Sequence, residues 1–205
     1  MMGPKEKHER ALGVRLGLKG ERCLTPKCAL VRKPYKPGVH GPKGRPRPLS
    51  EFGLQMREKS KVKLTYGIDE NNLKRIFGEA VASKKALSSA LLEFLERRLD
   101  NVVFRLGFAP SRGAARQLVR HGHIAVNGNK VVSPGFEVKA NDMISVREGS
   151  IAMGAIAKRQ EVLQKFEAPA WLRLDPVKLA GQVLALPTEV EAPFEINLLV
   201  EAFSK

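Results

Sequence analysis

The chain has 205 residues, with 36 Lys and Arg side chains against 21 Asp and Glu, which gives a formal net charge of +15. An apolar content of 43% fits a folded protein and argues against wholesale disorder. No apolar run approaches the roughly 18 residues that span a bilayer, and the charged start lacks the apolar core of a secretory signal. Two cysteines cannot form a disulfide-rich secreted scaffold. We therefore expect a cytoplasmic protein whose basic surface binds a polyanion, most commonly nucleic acid.

The charge excess is greatest at the start of the chain. Residues 1–50 carry 13 basic and 3 acidic side chains, and six prolines lie between positions 26 and 48. Because proline removes backbone donors, we predict an extended basic arm, rich in Pro and Gly, over residues 1–48. The arm either contacts a phosphate backbone or is a solvated, disordered tail. Its candidate RNA-binding residues are Lys27, Arg32, Lys33, Tyr35, Lys36, His40, Lys43, Arg45 and Arg47.

Helical patterns follow over residues 49–97. Ser50 is predicted to cap a helix that ends at Gly67, Asp69 to cap a second, and Ser88 to open a third that carries a stripe of leucines. Their apolar faces need one another, which predicts a small helical domain. The first helix carries a weaker candidate RNA-binding patch, or else a solvated face that Glu58 partly compensates. This patch consists of Arg57, Lys59, Lys61 and Lys63.

Residues 98–159 predict a small α+β module of two helices and an antiparallel sheet. The first helix ends at Gly107 and the second is capped by Ser111. Asn127-Gly128 between short apolar runs predicts a type I′ hairpin, and residues 143–146 alternate as a further strand. On the second helix, three arginines fall within an arc of about 80°, apart from the apolar positions. They are Arg112, Arg116 and Arg120.

A row of arginines beside a short rigid hairpin suits A-form RNA, which proteins contact through phosphates and 2′-hydroxyls. Arginine can also hold a phosphate through two parallel hydrogen bonds. The module is therefore predicted to bind RNA. Its candidate residues are Arg105, Ser111, Arg112, Arg116, Arg120, His121, His123, Asn127 and Lys130.

The same segment resembles a known family. SRGAARQLVRHGHIAVNG, preceded by RRLDNVVFRLGF, closely resembles the RNA-binding domain named after the fourth small-subunit ribosomal protein. Outside it, GERCLTPKCALVRKPYKPGVHG, REKSKVKLTYGI and EINLLVEAFSK resemble the bacterial form of that protein. The resemblance covers nearly the whole chain.

The resemblance implies a structural constituent of the ribosome that is not an enzyme. Such a protein is a primary binder of the 5′ domain of small-subunit rRNA, nucleates assembly of the subunit body, and contributes to decoding accuracy. Its implied partners are this rRNA, the fifth small-subunit protein and messenger RNA where it enters. The resemblance further implies that residues 160–205 complete the helical domain of residues 49–97. The alternatives are a free cytosolic RNA-binding factor in ribosome rescue or stress, and an RNA-modifying enzyme that carries the same module.

Metal and catalytic chemistry are not expected. Many bacterial family members have two further cysteines near the N-terminus, whereas this chain has only Cys23 and Cys28, which are weak candidates for zinc. We expect no cofactor. The triplet Arg98-Leu99-Asp100 is similar to one around the catalytic aspartate of pseudouridine synthases, but here we expect Asp100 to orient a neighbouring arginine or cap a helix.

Overall fold

A computed structural model of the chain describes residues 4–44, 48–151, 154–188 and 192–204. The chain forms two compact units, one of residues 1–91 and 190–205 and the other of residues 92–189. The predicted fold class, mainly helical with a small antiparallel sheet, is confirmed. Within the described ranges, no helix is long and apolar enough to cross a membrane.

The N-terminal segment differs from the predicted extended arm. It contains helix α1 (Lys5–Leu12), a 3₁₀ turn (Gly20–Leu24) and helix α2 (Ala29–Arg32). The buried Glu9 carboxylate accepts hydrogen bonds from the backbone N–H groups of Leu16 (3.0 Å) and Leu18 (3.2 Å). Leu16, Leu18, Cys23 and Cys28 are buried in this segment and form a small core, and the described residues between α2 and residue 50 form no helix or strand.

The first unit continues with helices α3 (Glu51–Tyr66) and α4 (Glu70–Ala82), both capped as predicted. Ser50 Oγ accepts from the N–H of Gly53, and Asp69 accepts from the N–H of Asn72. Helix α10 (Ile196–Ser204) packs against α3, with Leu199 fully buried.

Helix α5 (Leu87–Glu96) begins one residue before the predicted Ser88. The second unit then has helices α6 (Leu99–Arg105) and α7 (Arg112–Arg120), which pack together. Strands β1 (Ile124–Val126), β2 (Asn129–Lys130) and β3 (Met143–Val146) follow. Between β1 and β2, φ is +50° at Asn127 and +81° at Gly128, as a type I′ turn requires. Beyond β3 come helices α8 (Glu148–Ile151) and α9 (Gly154–Leu163).

Strands β4 (Leu172–Asp175) and β5 (Ala180–Val183) complete a five-stranded antiparallel sheet in the order β2-β1-β3-β5-β4. β5 pairs with β3, with Ile144 opposite Gly181. The predicted boundaries differ from this arrangement, because they assigned residues 160–205 to the helical domain and ended the module at residue 159. The difference arises because β5 pairs with a strand about 35 residues earlier in the chain.

Gly181 of β5 lies against Leu106, the residue that follows α6. A Cβ added there would come within 2.7 Å of Leu106 Cδ1 in the core. Gly181→Ala is therefore expected to lower the free energy of unfolding by about 1–3 kcal/mol through overpacking. Urea denaturation followed by fluorescence measures this loss, because Trp171, the only tryptophan, packs against the same core. The control is Gly149→Ala, whose Cβ would meet nothing within 4 Å, and an equal loss in both variants would contradict the prediction.

Candidate nucleic-acid interface

Helix α7 presents the predicted row of arginines. Ser111 Oγ accepts from the N–H of Ala114 at the first turn, and Ala115 and Val119 are fully buried against the core. The opposite side carries arginines whose exposure increases along the helix. Together with Arg105 of α6 they make up a surface that we call the arginine face. It consists of Arg105, Arg112, Arg116 and Arg120.

Glu96, at the end of α5, is a fully buried carboxylate beneath this face. Arg105 donates to both of its oxygens, from Nε at 2.9 Å and from Nη2 at 3.0 Å. Arg112 Nη2 lies 3.8 Å from Oε1 of the same group. Asn101 connects them, since its Nδ2 donates to Glu96 (2.8 Å) and its Oδ1 accepts from Arg112 Nε (2.7 Å). The Arg112 guanidinium also stacks 4.6 Å above the ring of Phe104.

Asp100, in the first turn of α6, is the second buried carboxylate. It accepts from Arg98 through Nε (3.1 Å) and Nη2 (2.8 Å), and this pair is almost wholly buried. Its Oδ2 also accepts from Arg116 Nη1 at 3.3 Å, although Arg116 is 36% exposed. Asp100 thus orients a neighbouring arginine, as its position in the Arg-Leu-Asp triplet indicated.

Two buried carboxylates hold one buried and three partly exposed guanidinium groups in place at this site. Glu96 and Asp100 face Arg98 and three members of the arginine face, so these six side chains have a formal charge of +2. Side chains held in place before binding lose less conformational freedom when an anion arrives. The arrangement is therefore suited to hold phosphate groups.

Further cations surround the C-terminal end of α7. An added Cβ at Gly122 would lie 3.0 Å from Lys130 Nζ, which shows that the hairpin lysine rests on this end of the helix. The His121 and His123 rings lie 5.9 Å apart, and His123 Nδ1 is 2.9 Å from Ser150 Oγ. Arg147, which the sequence interpretation missed, donates to the Gly122 carbonyl at 3.2 Å.

The side chain of Asn127 forms hydrogen bonds within the module and does not only face solvent. Its Nδ2 donates to Asp142 (2.9 Å), and its Oδ1 accepts from the N–H of Met143 (2.8 Å). These bonds hold the hairpin turn against the start of β3. The first role of Asn127 in this structure is thus to fix the hairpin on which Lys130 lies.

The N-terminal candidates are exposed and lie mostly in irregular backbone. Lys27, Arg32 and Lys33 surround a cavity beside α1, whereas Tyr35 stacks under the Arg10 guanidinium at 4.9 Å. Lys36, His40 and Lys43 are exposed. Arg45 and Arg47 lie outside the described residues.

The weaker patch on α3 is compensated by internal partners. Arg57 donates to the carbonyl of Leu12, and Lys61 pairs with Glu58 at 2.6 Å. Lys59 and Lys63 both pair with Glu70 of α4, the second at 3.0 Å. These contacts offset part of the charge that the sequence made conspicuous.

The pairing with Glu70 predicts a pH dependence of stability. Burial raises the pKa of Glu70, but hydrogen bonds and charge from Lys59 and Lys63 outweigh it, so this pKa lies below its ordinary value of 4.5. A carboxylate with a lowered pKa in the folded state stabilises the fold above its unfolded pKa and loses that effect as the pH falls. Glu70→Gln is therefore expected to lower the melting temperature at pH 7 but progressively less as the pH falls below 4.5. Thermal unfolding by circular dichroism tests this, and a difference unchanged down to pH 3 would contradict it.

The two cysteines, which are weak zinc candidates in the sequence, lie close to the buried Glu9 or in the same small core. Both are free and buried, and burial raises the pKa of the Cys23 thiol. Cys23 Sγ lies 3.8 Å from Glu9 Oε2, and the Glu9 carboxylate already accepts two backbone N–H groups. In the described part of the chain, no group of three or more His, Cys, Asp or Glu side chains is placed to hold a metal ion. Within the described ranges, the two cysteines therefore lack the further ligands that a four-coordinate structural zinc needs.

Comparisons with known proteins agree with this geometry. Residues 97–144, which include α6, α7, β1, β2 and the first half of β3, match the S4 domain model. Residues 1–96 match the ribosomal protein S4/S9 N-terminal domain model. The matched domains and the basic residues of the site together identify the chain as an RNA-binding protein of the ribosomal type.

Full-length relatives specify the family. The chain is 46% identical to small ribosomal subunit protein uS4 of Caldicellulosiruptor bescii, covering 100% of this chain and 98% of the relative. It is 44% identical to the same protein of Thermus thermophilus, with the same coverage, and of Natranaerobius thermophilus, with 99% and 98% covered. The chain belongs to the family of small ribosomal subunit protein uS4.

Proposed function

We propose that this protein binds small-subunit rRNA through the arginine face, as a structural component of the small ribosomal subunit. The observation that carries the proposal is that two buried carboxylates hold in place three arginines of the matched S4 domain, Arg105, Arg112 and Arg116. Family membership supports a structural role without enzymatic activity, in a subunit that is cytoplasmic in bacteria.

The remaining candidates extend this surface. His121, Lys130 and Arg147 lie near Arg120 at the end of α7, and the half-buried His123 lies beside His121. Ser111 caps the helix that carries the arginines, and Asn127 holds the hairpin. We assign these two a positioning role beneath the RNA contacts. The exposed N-terminal cations make a second contact region on the other unit.

Finer assignments follow from the family resemblance and are part of the proposal. The RNA is the 5′ domain of small-subunit rRNA, where binding nucleates assembly of the subunit body. The neighbouring partners are the fifth small-subunit protein and messenger RNA at its point of entrance, where the protein contributes to decoding accuracy. Alignment along the full length of ribosomal relatives, with both units included, disfavours a free rescue factor or an RNA-modifying enzyme.

Filter binding of the purified chain tests the proposal. The 5′ domain of bacterial small-subunit rRNA is compared with a scrambled RNA of equal length across a salt series. We expect a preference for the 5′ domain that persists at physiological salt, since specific contacts add to counterion release. Equal binding of both RNAs that vanishes steeply with salt would refute a specific rRNA-binding role.

A further inference from the structure

Asparagine followed directly by glycine is the asparagine sequence most prone to deamidation, because glycine has no side chain to hinder attack on the amide. Asn127-Gly128 is the only such pair in the sequence. It occupies the β1–β2 turn, both residues are exposed, and a Cβ added at Gly128 would meet nothing within 4 Å. Water and base therefore have free access to the Gly128 amide.

Deamidation of this pair needs no reactant other than water. The Gly128 nitrogen loses its proton to a base in solution and attacks Cγ of Asn127. The Cγ–Nδ2 bond breaks, and Nδ2 leaves as ammonia with the proton that the base took up. Water then adds to one of the two carbonyls of the resulting cyclic imide and opens the ring. The products are aspartate and isoaspartate, and each has a negative charge that asparagine lacks.

The folded hairpin holds both ends of the Asn127 amide. Its Nδ2 donates to Asp142 Oδ1 at 2.9 Å, and its Oδ1 accepts from the N–H of Met143 at 2.8 Å. Asp142 is itself anchored, since its Oδ2 accepts from the N–H of Lys139 at 2.7 Å. Closing the imide ring rotates the Asn127 side chain and its peptide bond to Gly128, so these hydrogen bonds oppose the reaction.

The two partners of the amide have different effects on the attack. The Met143 N–H donates to the oxygen on which negative charge develops, so this bond alone would assist the reaction. Asp142 acts in the opposite direction, because it holds the nitrogen that must leave. Its carboxylate charge also disfavours the anion that forms on the nearby Gly128 nitrogen. Protection of Asn127 therefore depends on Asp142.

We propose that Asn127 is a deamidation site that Asp142 protects as long as the hairpin is folded. Local unfolding of the hairpin, or loss of the contact with Asp142, starts the reaction. The product cannot donate to Asp142 and instead places a second carboxylate beside it, and like charges at this distance repel. Deamidation thus loosens the turn that holds the hairpin of Lys130.

Peptide mapping of the full chain tests the proposal. The chain is incubated at mildly alkaline pH, either folded or unfolded in guanidinium chloride, and then digested with trypsin. Cleavage after Arg120 and Lys130 releases residues 121–130, in which tandem mass spectrometry distinguishes Asn127 from Asn129. We expect Asn127 to deamidate at least about tenfold faster in the unfolded chain than in the folded chain. In the unfolded chain it should also react faster than Asn129.

The test variant is Asp142→Ala, and the matched control is Asp175→Ala. Asp175 also holds a turn of the same unit, through the N–H groups of Val177 and Lys178 in the β4–β5 hairpin. With both variants folded by circular dichroism, Asp142→Ala should deamidate at Asn127 at least about tenfold faster than the control, which should match the unaltered chain.

Two results would overturn the proposal. One is an equal rate at Asn127 in the two variants, and the other is a folded unaltered chain that reacts as fast as the unfolded one. The second comparison needs no substitution, so it decides the question even if Asp142→Ala does not fold.

A second arm, which rests on the proposed function, measures the consequence for RNA. Asn127→Asp is compared with Asn129→Asp, which adds the same charge two residues further along the same hairpin. We expect Asn127→Asp to bind 5′-domain RNA more weakly than Asn129→Asp by about threefold or more. Equal affinities would contradict an effect of deamidation on the RNA-binding surface. Failure of the proposed function would appear separately, as a loss of preference for the 5′ domain in the unaltered chain.

Discussion

Replacing Glu96 with alanine is expected to lower the free energy of unfolding of the second unit by about 3–5 kcal/mol. The fully buried carboxylate accepts from Arg105 and Asn101, so its removal leaves a partly buried guanidinium without its counter-charge. Urea denaturation followed by Trp171 fluorescence measures the effect. The control is Glu161→Ala, an exposed carboxylate in α9, which should change stability by less than about 0.5 kcal/mol. Similar losses in the two variants would show that the buried network contributes little.

Substitution of Glu96 also distinguishes two explanations of RNA affinity, because the two predict changes of opposite sign in RNA binding. Removing a negative charge near a polyanion should strengthen binding if only net charge matters. If instead Glu96 holds Arg105 and Arg112 in their binding positions, Glu96→Gln should weaken it, although the variant retains the side-chain shape. Filter binding under conditions where the variant is folded decides between them, and tighter binding by the glutamine variant would exclude the positioning role.

The triple variant with glutamine at Arg112, Arg116 and Arg120 is expected to bind 5′-domain RNA at least about 100-fold more weakly. Charge-assisted hydrogen bonds to phosphate contribute about 1.5–3 kcal/mol each, and all three substitutions act on one surface. The salt slope should also decrease by about 0.7–0.9 for each phosphate that the variant no longer neutralises. Filter binding across a salt series measures both quantities.

A charge-matched control makes this result specific. Lys139, Arg173 and Lys178 are exposed cations of the same unit that do not belong to the arginine face. Glutamine at all three removes the same total charge. An equal decrease of affinity in this control would mean that the unit attracts RNA through its net charge, without a defined surface.

Local signals accounted for the parts of the fold that were predicted from sequence. Ser50 at the start and Gly67 at the end predict the bounds of α3 within a few positions. Asn127-Gly128 predicts the hairpin turn because a type I′ turn requires positive φ at both central residues. The arginine face was found for the same reason, since helical periodicity separates it from the buried Ala115 and Val119.

The parts of the fold and site that the sequence did not predict depend on contacts between residues that are distant in the chain. β4 and β5 are four residues each, and their place in the sheet depends on β3, which no local pattern reveals. The Arg98-Leu99-Asp100 triplet indicated the role of Asp100, but no local pattern indicated that Glu96 of α5 holds Arg105 and Arg112. In the N-terminal segment, the prolines after position 25 favoured the prediction of an extended arm, and the small core around Glu9 was therefore not predicted.

The late position of β5 has a consequence for synthesis of the chain. β3 lies in the middle of the sheet, yet its partner β5 ends 37 residues after it. At about 5–20 residues per second, a nascent chain leaves the open edge of β3 uncovered for roughly two to seven seconds. An uncovered strand edge is a template for pairing with other chains. The nascent protein is thus most exposed to aggregation after its arginine-bearing helices have emerged and before its last hairpin has closed the sheet.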